Sequence, residues 1–183
     1  MLKLNSKSAL QTYVNQGHKV KYIFFWGHQQ TKNTVSKTCF SQWYPAPFTE
    51  HGIQYLTAEH YMMAQKAKLF NDMACYQKII DAKSAGEAKA LGRTVQNFDE
   101  IIWCEQRFDI VVQGNVLKFN QNKLLSEFLA NTGQRVLVEA SPVDKIWGVG
   151  LAVNHPNIEN PNLWKGLNLL GFALMEVRAQ LSC

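Results

Sequence analysis

Apolar and polar positions along the chain fall into two rhythms, and the changes of rhythm mark the elements. Val20 to Trp26 (VKYIFFW) is dense in β-branched and aromatic residues, which suit a pleated surface, and predicts a strand. Arg135 to Ala140 (RVLVEA) predicts a second. Elsewhere the rhythm is helical. Thr57, a good N-cap, opens a helix over Ala58–Phe70. Shorter helices are expected at Asp72–Ala82 and Ser84–Leu91, broken around Lys83 and Gly92. Phe108, Val111, Val112, Val116 and Phe119 keep the i, i+3, i+4 spacing of one buried face, so a long helix is expected from Glu105 to Asn120. Lys123–Ala130 continues as helix and stops near Gly133, where a left-handed C-cap suits glycine. Leu170, Leu174, Val177 and Leu181 place a closing helix.

The remaining stretches lack either period. Residues 1–19 are polar and read as a loosely held lead-in to a domain over residues 20–183. Residues 27–40 suit a surface loop or ragged hairpin, and residues 51–56 a turn and short strand. Phe40 to Phe48 (FSQWYPAPF) sets large rings beside two prolines, which exclude regular helix and central strand. Residues 141–167 combine prolines, glycines and two tryptophans with little periodicity, the signature of a long functional loop. The predicted fold class is α+β, mostly α, one compact domain with a few short strands.

Composition narrows the picture. With 183 residues and 46% hydrophobic content the chain can bury one sizeable core and is short for two. Charged residues are 18%, which argues against disorder, and the net charge of +5 suits anionic ligands such as phosphates. Cys39, Cys75, Cys104 and Cys183 form no CxxC pair, so reduced thiols are expected. The first twenty residues hold no apolar signal core, and no apolar run nears the roughly 18 residues of a membrane span. A soluble, cytoplasmic protein without a membrane partner is expected.

Several chemistries drop out. No HExxH motif, clustered Cys/His ligands or acidic EF-hand loop is present, so neither a metal nor any other cofactor is expected. No phosphate-loop signature appears, and Gly148-Val149-Gly150 is only half a dinucleotide fingerprint, because Val153 holds the third glycine position. The histidines are scattered without a Ser or Cys partner. Carboxylates, a lysine and aromatics remain.

Glu59 and Lys66 are seven residues apart, about 20° short of two helical turns, so they share a face roughly 10 Å apart along the axis. They could converge on one ligand. Equally, a first-turn Glu merely suits the helix dipole, and a late Lys can decorate a surface. A functional Glu59 at that end would favour its ionised form and stabilise positive charge or act as base. A buried Lys loses its proton readily and can attack a sugar aldehyde carbon. Asp144, Trp147, Gly148 and Gly150 offer an acid, a flat ring and close backbone approach; the alternative is a core plug with a turn cap. Arg93 after Gly92 is a phosphate candidate, and Trp103 a stacking candidate.

These residues resemble one family. Thr57-Ala58-Glu59-His60-Tyr61-Met62-Met63-Ala64-Gln65-Lys66 is similar to the SEHyfqaqK helix of the NADAR (NAD and ADP-ribose), or YbiA-like, superfamily. Phe40–Phe48 resembles its FSNFyPspF segment, with Gln42 where the family often has Asn. Leu91-Gly92-Arg93, Trp103, Val116-Leu117-Lys118-Phe119, the run from Leu137 through Asp144 to Trp147-Gly148-Val149-Gly150, and the closing Trp164 to Arg178 resemble its later motifs in order, covering residues 22–180. Residues 154–163 match no motif. The resemblance implies an N-glycosidase on ribosylated bases, without a cofactor. Early riboflavin-pathway intermediates carrying a ribosyl-phosphate on an aminopyrimidine are its first substrate class, with release of ribose 5-phosphate. ADP-ribose on guanine, including in nucleic acid, is a second, and a non-enzymatic NAD or ADP-ribose binding module is a further alternative. It points to Glu59, Lys66 and Asp144 as catalytic, and to Phe40, Ser41, Tyr44, Arg93, Trp103, Trp147, Gly148 and Gly150 as substrate-binding.

Overall fold

The structure, a computed structural model, describes residues 4–30 and 34–181. Cys183 and residues 31–33 of the first loop lie outside them. In chain order the elements are α1 (Lys7–Asn15), β1 (Tyr22–Phe25), β2 (Phe48–Glu50), β3 (Ile53–Tyr55), α2 (Ala58–Leu69), α3 (Met73–Asp81), α4 (Ala85–Gly92), α5 (Glu100–Asn120), α6 (Lys123–Ala130), β4 (Val136–Glu139) and α7 (Leu169–Leu181). The class is α+β and mostly α, as the periodicity predicted. By packing, the chain forms two compact units: one joins the residues up to Gly27 with those from Glu127 onward, and the other is His28–Ser126.

In the first unit β1 pairs in parallel with β4, from Tyr22 opposite Val136 to Phe25 opposite Glu139. The parallel pairing needs a crossover, and the other unit is the sequence between the two strands. α7 packs on β4, and its Leu170, Phe172, Leu174 and Val177 are buried. Gly171 allows the approach, since a Cβ there would overlap the Leu137 carbonyl. The polar lead-in expected over residues 1–19 instead contains α1. Ser6 caps it by accepting from Ala9 N at 3.2 Å, and Leu10 is fully buried. Lys7 Nζ donates to Trp164 O at 2.6 Å and Gln11 Nε2 to Pro161 O at 3.1 Å. One buried leucine and backbone-directed polar side chains hold this helix, so a hydrophobic pattern does not reveal it. The Gln11 bond to Pro161 also ties α1 to the unmatched stretch 154–163.

In the second unit α2 packs against α3, α4 and α5. Seven successive residues, Ala58 to Ala64, are buried, so α2 has no solvent face over its first two turns. β2 and β3 form a hairpin across His51 and Gly52, both at positive φ, the two-residue turn that matches strand twist. α5 begins at Glu100 rather than Glu105. Asp99 caps it, Oδ1 accepting from Ile101 N at 2.8 Å and Ile102 N at 3.1 Å. Ile101 and Ile102 are exposed, which breaks the apolar rhythm where the helix starts. Among the described residues no helix is long and apolar enough to cross a membrane.

Candidate active site

α2 starts from an extended Thr57 whose hydroxyl accepts from His60 N at 3.4 Å and contacts His60 Nδ1 at 2.8 Å. His60 Nε2 faces Ala82 O at 3.2 Å, so Nε2 carries the proton and Nδ1 accepts from Thr57. Burial lowers the His60 pKa, consistent with a neutral ring serving structure. Beside it, Glu59 is only 3% exposed in the first turn. Its backbone N–H donates to Gln42 O at 3.0 Å, which ties the aromatic segment to the head of α2.

Gln42 and Asn115 are a polar pair the spacing did not reveal. Asn115 Nδ2 donates to Val111 O and to Gln42 Oε1, both at 2.8 Å. The Val111 carbonyl sets the Asn115 amide orientation, and that in turn sets Gln42. Gln42 Nε2 and Asn115 Oδ1 then stay buried without a hydrogen bond among the described residues. Leaving such groups unpaired costs about 1–3 kcal/mol each. Gln42 is the position where this sequence departs from the motif it resembles.

Lys66, two turns after Glu59, is half-buried. Its Nζ donates to Gly92 O at 2.8 Å and lies 4.1 Å from the Phe98 ring centroid and 5.6 Å from that of Trp103. Burial pushes its pKa down, with Glu100 and Cys75 opposing. The aromatic walls thus hold an amine that releases its proton more easily than a solvated lysine. Phe98 was missed by spacing, yet a signal exists: it precedes the Asp99 cap and stands five before Trp103, the N′ and N4 positions of a hydrophobic staple. Arg93 follows Gly92 directly and is exposed, its guanidinium making no hydrogen bond or ion pair among the described residues.

The aromatic segment is organised by a buried cation. Lys118 Nζ, with no exposed surface, donates to Cys39 O at 2.7 Å and Ser41 O at 2.9 Å. Burial lowers its pKa to about 8. Phe40 is fully buried against Phe119, which leaves it no surface for a ligand in this conformation. Ser41 Oγ accepts from Trp43 N at 3.1 Å, and Tyr44 is 7% exposed. Phe40 and Tyr44 therefore shape the segment from within, and half-buried Ser41 turns its hydroxyl onto the segment's own backbone.

Asp144, Trp147, Gly148 and Gly150 belong to the other unit. Asp144 Oδ1 accepts from Ile146 N at 2.8 Å, Trp147 N at 2.7 Å and, more weakly, Gly148 N at 3.4 Å. One carboxylate oxygen is thus committed to the turn. The carbonyls of Ile146 and Trp147 accept from Leu169 N and Leu170 N, so this loop caps α7. Gly148 is buried and Gly150 sits at φ +68°. Trp147 is half-buried. The structure brings Lys66, Trp103 and the Gly92-Arg93 turn together, and separately builds a rigid loop around Asp144. Among the described residues no cluster of His, Cys, Asp or Glu could hold a metal ion.

The chain matches a family model described as the NADAR domain over residues 24–182. The chain belongs to this family. It is 47% identical over 169 residues to an N-glycosidase of Acanthamoeba polyphaga mimivirus, covering 87% of this chain and 96% of that one. It is 34% identical over 151 residues to the chloroplastic riboflavin biosynthesis protein PYRR of Zea mays, covering 73% of this chain but 22% of that protein. The NMR structure of the E. coli protein YbiA superposes with a TM-score of 0.70 at 26% identity, covering 90% of this chain and 87% of that one.

Proposed function

We propose that this enzyme, a hydrolase of N-glycosyl bonds like its relatives, cleaves ribosylated aminopyrimidine phosphates of the early riboflavin type to free base and ribose 5-phosphate. The maize relative, a riboflavin biosynthesis protein, supports the substrate class. The observation that carries the chemistry is Lys66, a half-buried amine of lowered pKa between Phe98 and Trp103. Its neutral Nζ attacks the anomeric carbon, the bond from that carbon to the base nitrogen breaks, and the proton shed by Nζ goes to the leaving amine. The ring opens to a Schiff base between Lys66 and ribose. Water then adds to the same carbon and the bond to Nζ breaks, so one water is consumed overall. Glu59 assists by stabilising positive charge as the glycosidic bond breaks, and Arg93 receives the 5-phosphate. Asp144 orients the loop that carries Trp147.

The test offers purified enzyme a ribosylaminouracil phosphate and, separately, an ADP-ribosylated guanosine oligonucleotide. Faster cleavage of the pyrimidine is expected, and preference for the second would reassign the substrate. Borohydride during turnover should trap a sugar on the native enzyme and none on Lys66→Ala, whose kcat should fall on the order of 10²-fold or more. Full turnover by Lys66→Ala would move the chemistry to an oxocarbenium scheme centred on Glu59.

A further inference from the structure

At the N-terminal end of the β1–β4 pair lies a cavity of about 1100 Å³, built wholly within the first unit. Both strands begin there, at Tyr22 and Val136, whereas the Asp144–Gly150 loop follows the opposite end of β4. Among the described residues, four cationic side chains line it, Lys19, Lys21, Arg135 and Arg178, and no acidic one. The two arginines are held in place. Arg135 donates from Nε to Thr132 O at 2.9 Å and from Nη2 to Asn131 O at 2.8 Å. Arg178 Nη1 donates to Thr132 Oγ1 at 2.7 Å and to Arg135 O at 2.9 Å. Both guanidiniums are thus anchored on the turn that ends α6. Burial and then the Arg135 charge lower the Arg178 pKa, so the fold keeps two like charges together at a cost. Lys19 and Lys21 are exposed, and their ammonium groups make no ion pair or hydrogen bond among the described residues. Tyr13, stacked on His18 at 4.2 Å, adds an aromatic ring to the wall.

Two anchored guanidiniums, two exposed ammonium groups and a flat ring suit a multiply charged anion joined to a planar group. We propose that this cavity is a second binding site, apart from the glycosidase centre, for the phosphates of a nucleotide or of a single-stranded nucleic acid. The bound anion neutralises the repulsion among the four cations, and the base lies toward Tyr13.

The probes are ADP and a short fluorescent single-stranded oligonucleotide, titrated against the native protein and against Lys19→Glu/Lys21→Glu at low and physiological salt. The two lysines are exposed, so the variant should keep its circular dichroism and its glycosidase turnover. At least roughly tenfold weaker binding to the variant is expected with one or both probes. Binding of ADP assigns a nucleotide site. Binding of the oligonucleotide alone, with an affinity that falls steeply with salt, assigns a nucleic-acid site. Failure of both probes to bind, or equal binding by the native protein and a folded variant, would overturn the proposal. Glycosidase turnover is read separately, so a wrong substrate assignment leaves this result intact.

Discussion

Replacing Lys118 by Met removes the ammonium that holds Cys39 O and Ser41 O while keeping an unbranched chain of similar length. Two carbonyls in a buried setting then lose a donor, about 1–3 kcal/mol each. Against this, the variant no longer buries a charge. The fall in the Lys118 pKa from 10.5 to about 8 corresponds to about 3 kcal/mol held against the charged form. The net loss at pH 7 is therefore small, between nothing and about 3 kcal/mol. The pH dependence separates the two contributions. The folded value lies below the unfolded one, so between pH 8 and 10.5 the unfolded chain binds the additional proton and native stability rises with pH. From pH 7 to 9 the rise due to Lys118 is about 1 kcal/mol. Cys39 acts in the other direction: burial raises its thiol from 9.0 to about 12, so stability falls once the unfolded thiol ionises above pH 9. The interval from pH 7 to 9 therefore isolates the lysine best. Urea unfolding of both proteins at those two pH values should show the native protein gaining about 1 kcal/mol on the variant, at equal m. Parallel pH profiles, or a native protein that loses stability relative to the variant, would refute the reasoning.

Glu59→Gln keeps the side-chain shape and removes its charge, so kcat should fall steeply while KM barely changes, because only the transition state carries the developing positive charge. Turnover within about threefold of native on the best substrate would remove Glu59 from the chemistry. Gly166→Ala places a Cβ onto the Gly148 carbonyl and 2.8 Å from Lys145 Cα. Those neighbours are backbone and cannot rotate aside, so a loss of about 1–3 kcal/mol is expected, a Tm drop of roughly 2–10 °C. A melting point unchanged within a degree would show that the Asp144 loop is softer than its hydrogen bonds imply.

What the sequence determined by itself was local. The burial rhythm of α5 and α7 and the Thr57 cap of α2 could be read because each depends on neighbours within one or two turns. The reach of α5 back to Glu100 could not, because its first turn exposes Ile101 and Ile102 and rests on the Asp99 cap. α1 stayed hidden for a related reason, since its anchors are carbonyls of residues 161 and 164, far along the chain. The order of motifs marked Glu59, Lys66, Trp103 and Asp144 as candidates. Tertiary structure alone decided their surroundings, through the Phe98 wall over Lys66, the Gln42 carbonyl that accepts from Glu59 N and the Asp144 oxygen turned onto its own loop. The parallel pairing of β1 with β4 belongs to the same group. Periodicity reports which side of an element meets an apolar environment; which distant backbone meets it depends on the closure of long loops, and no local window contains that information.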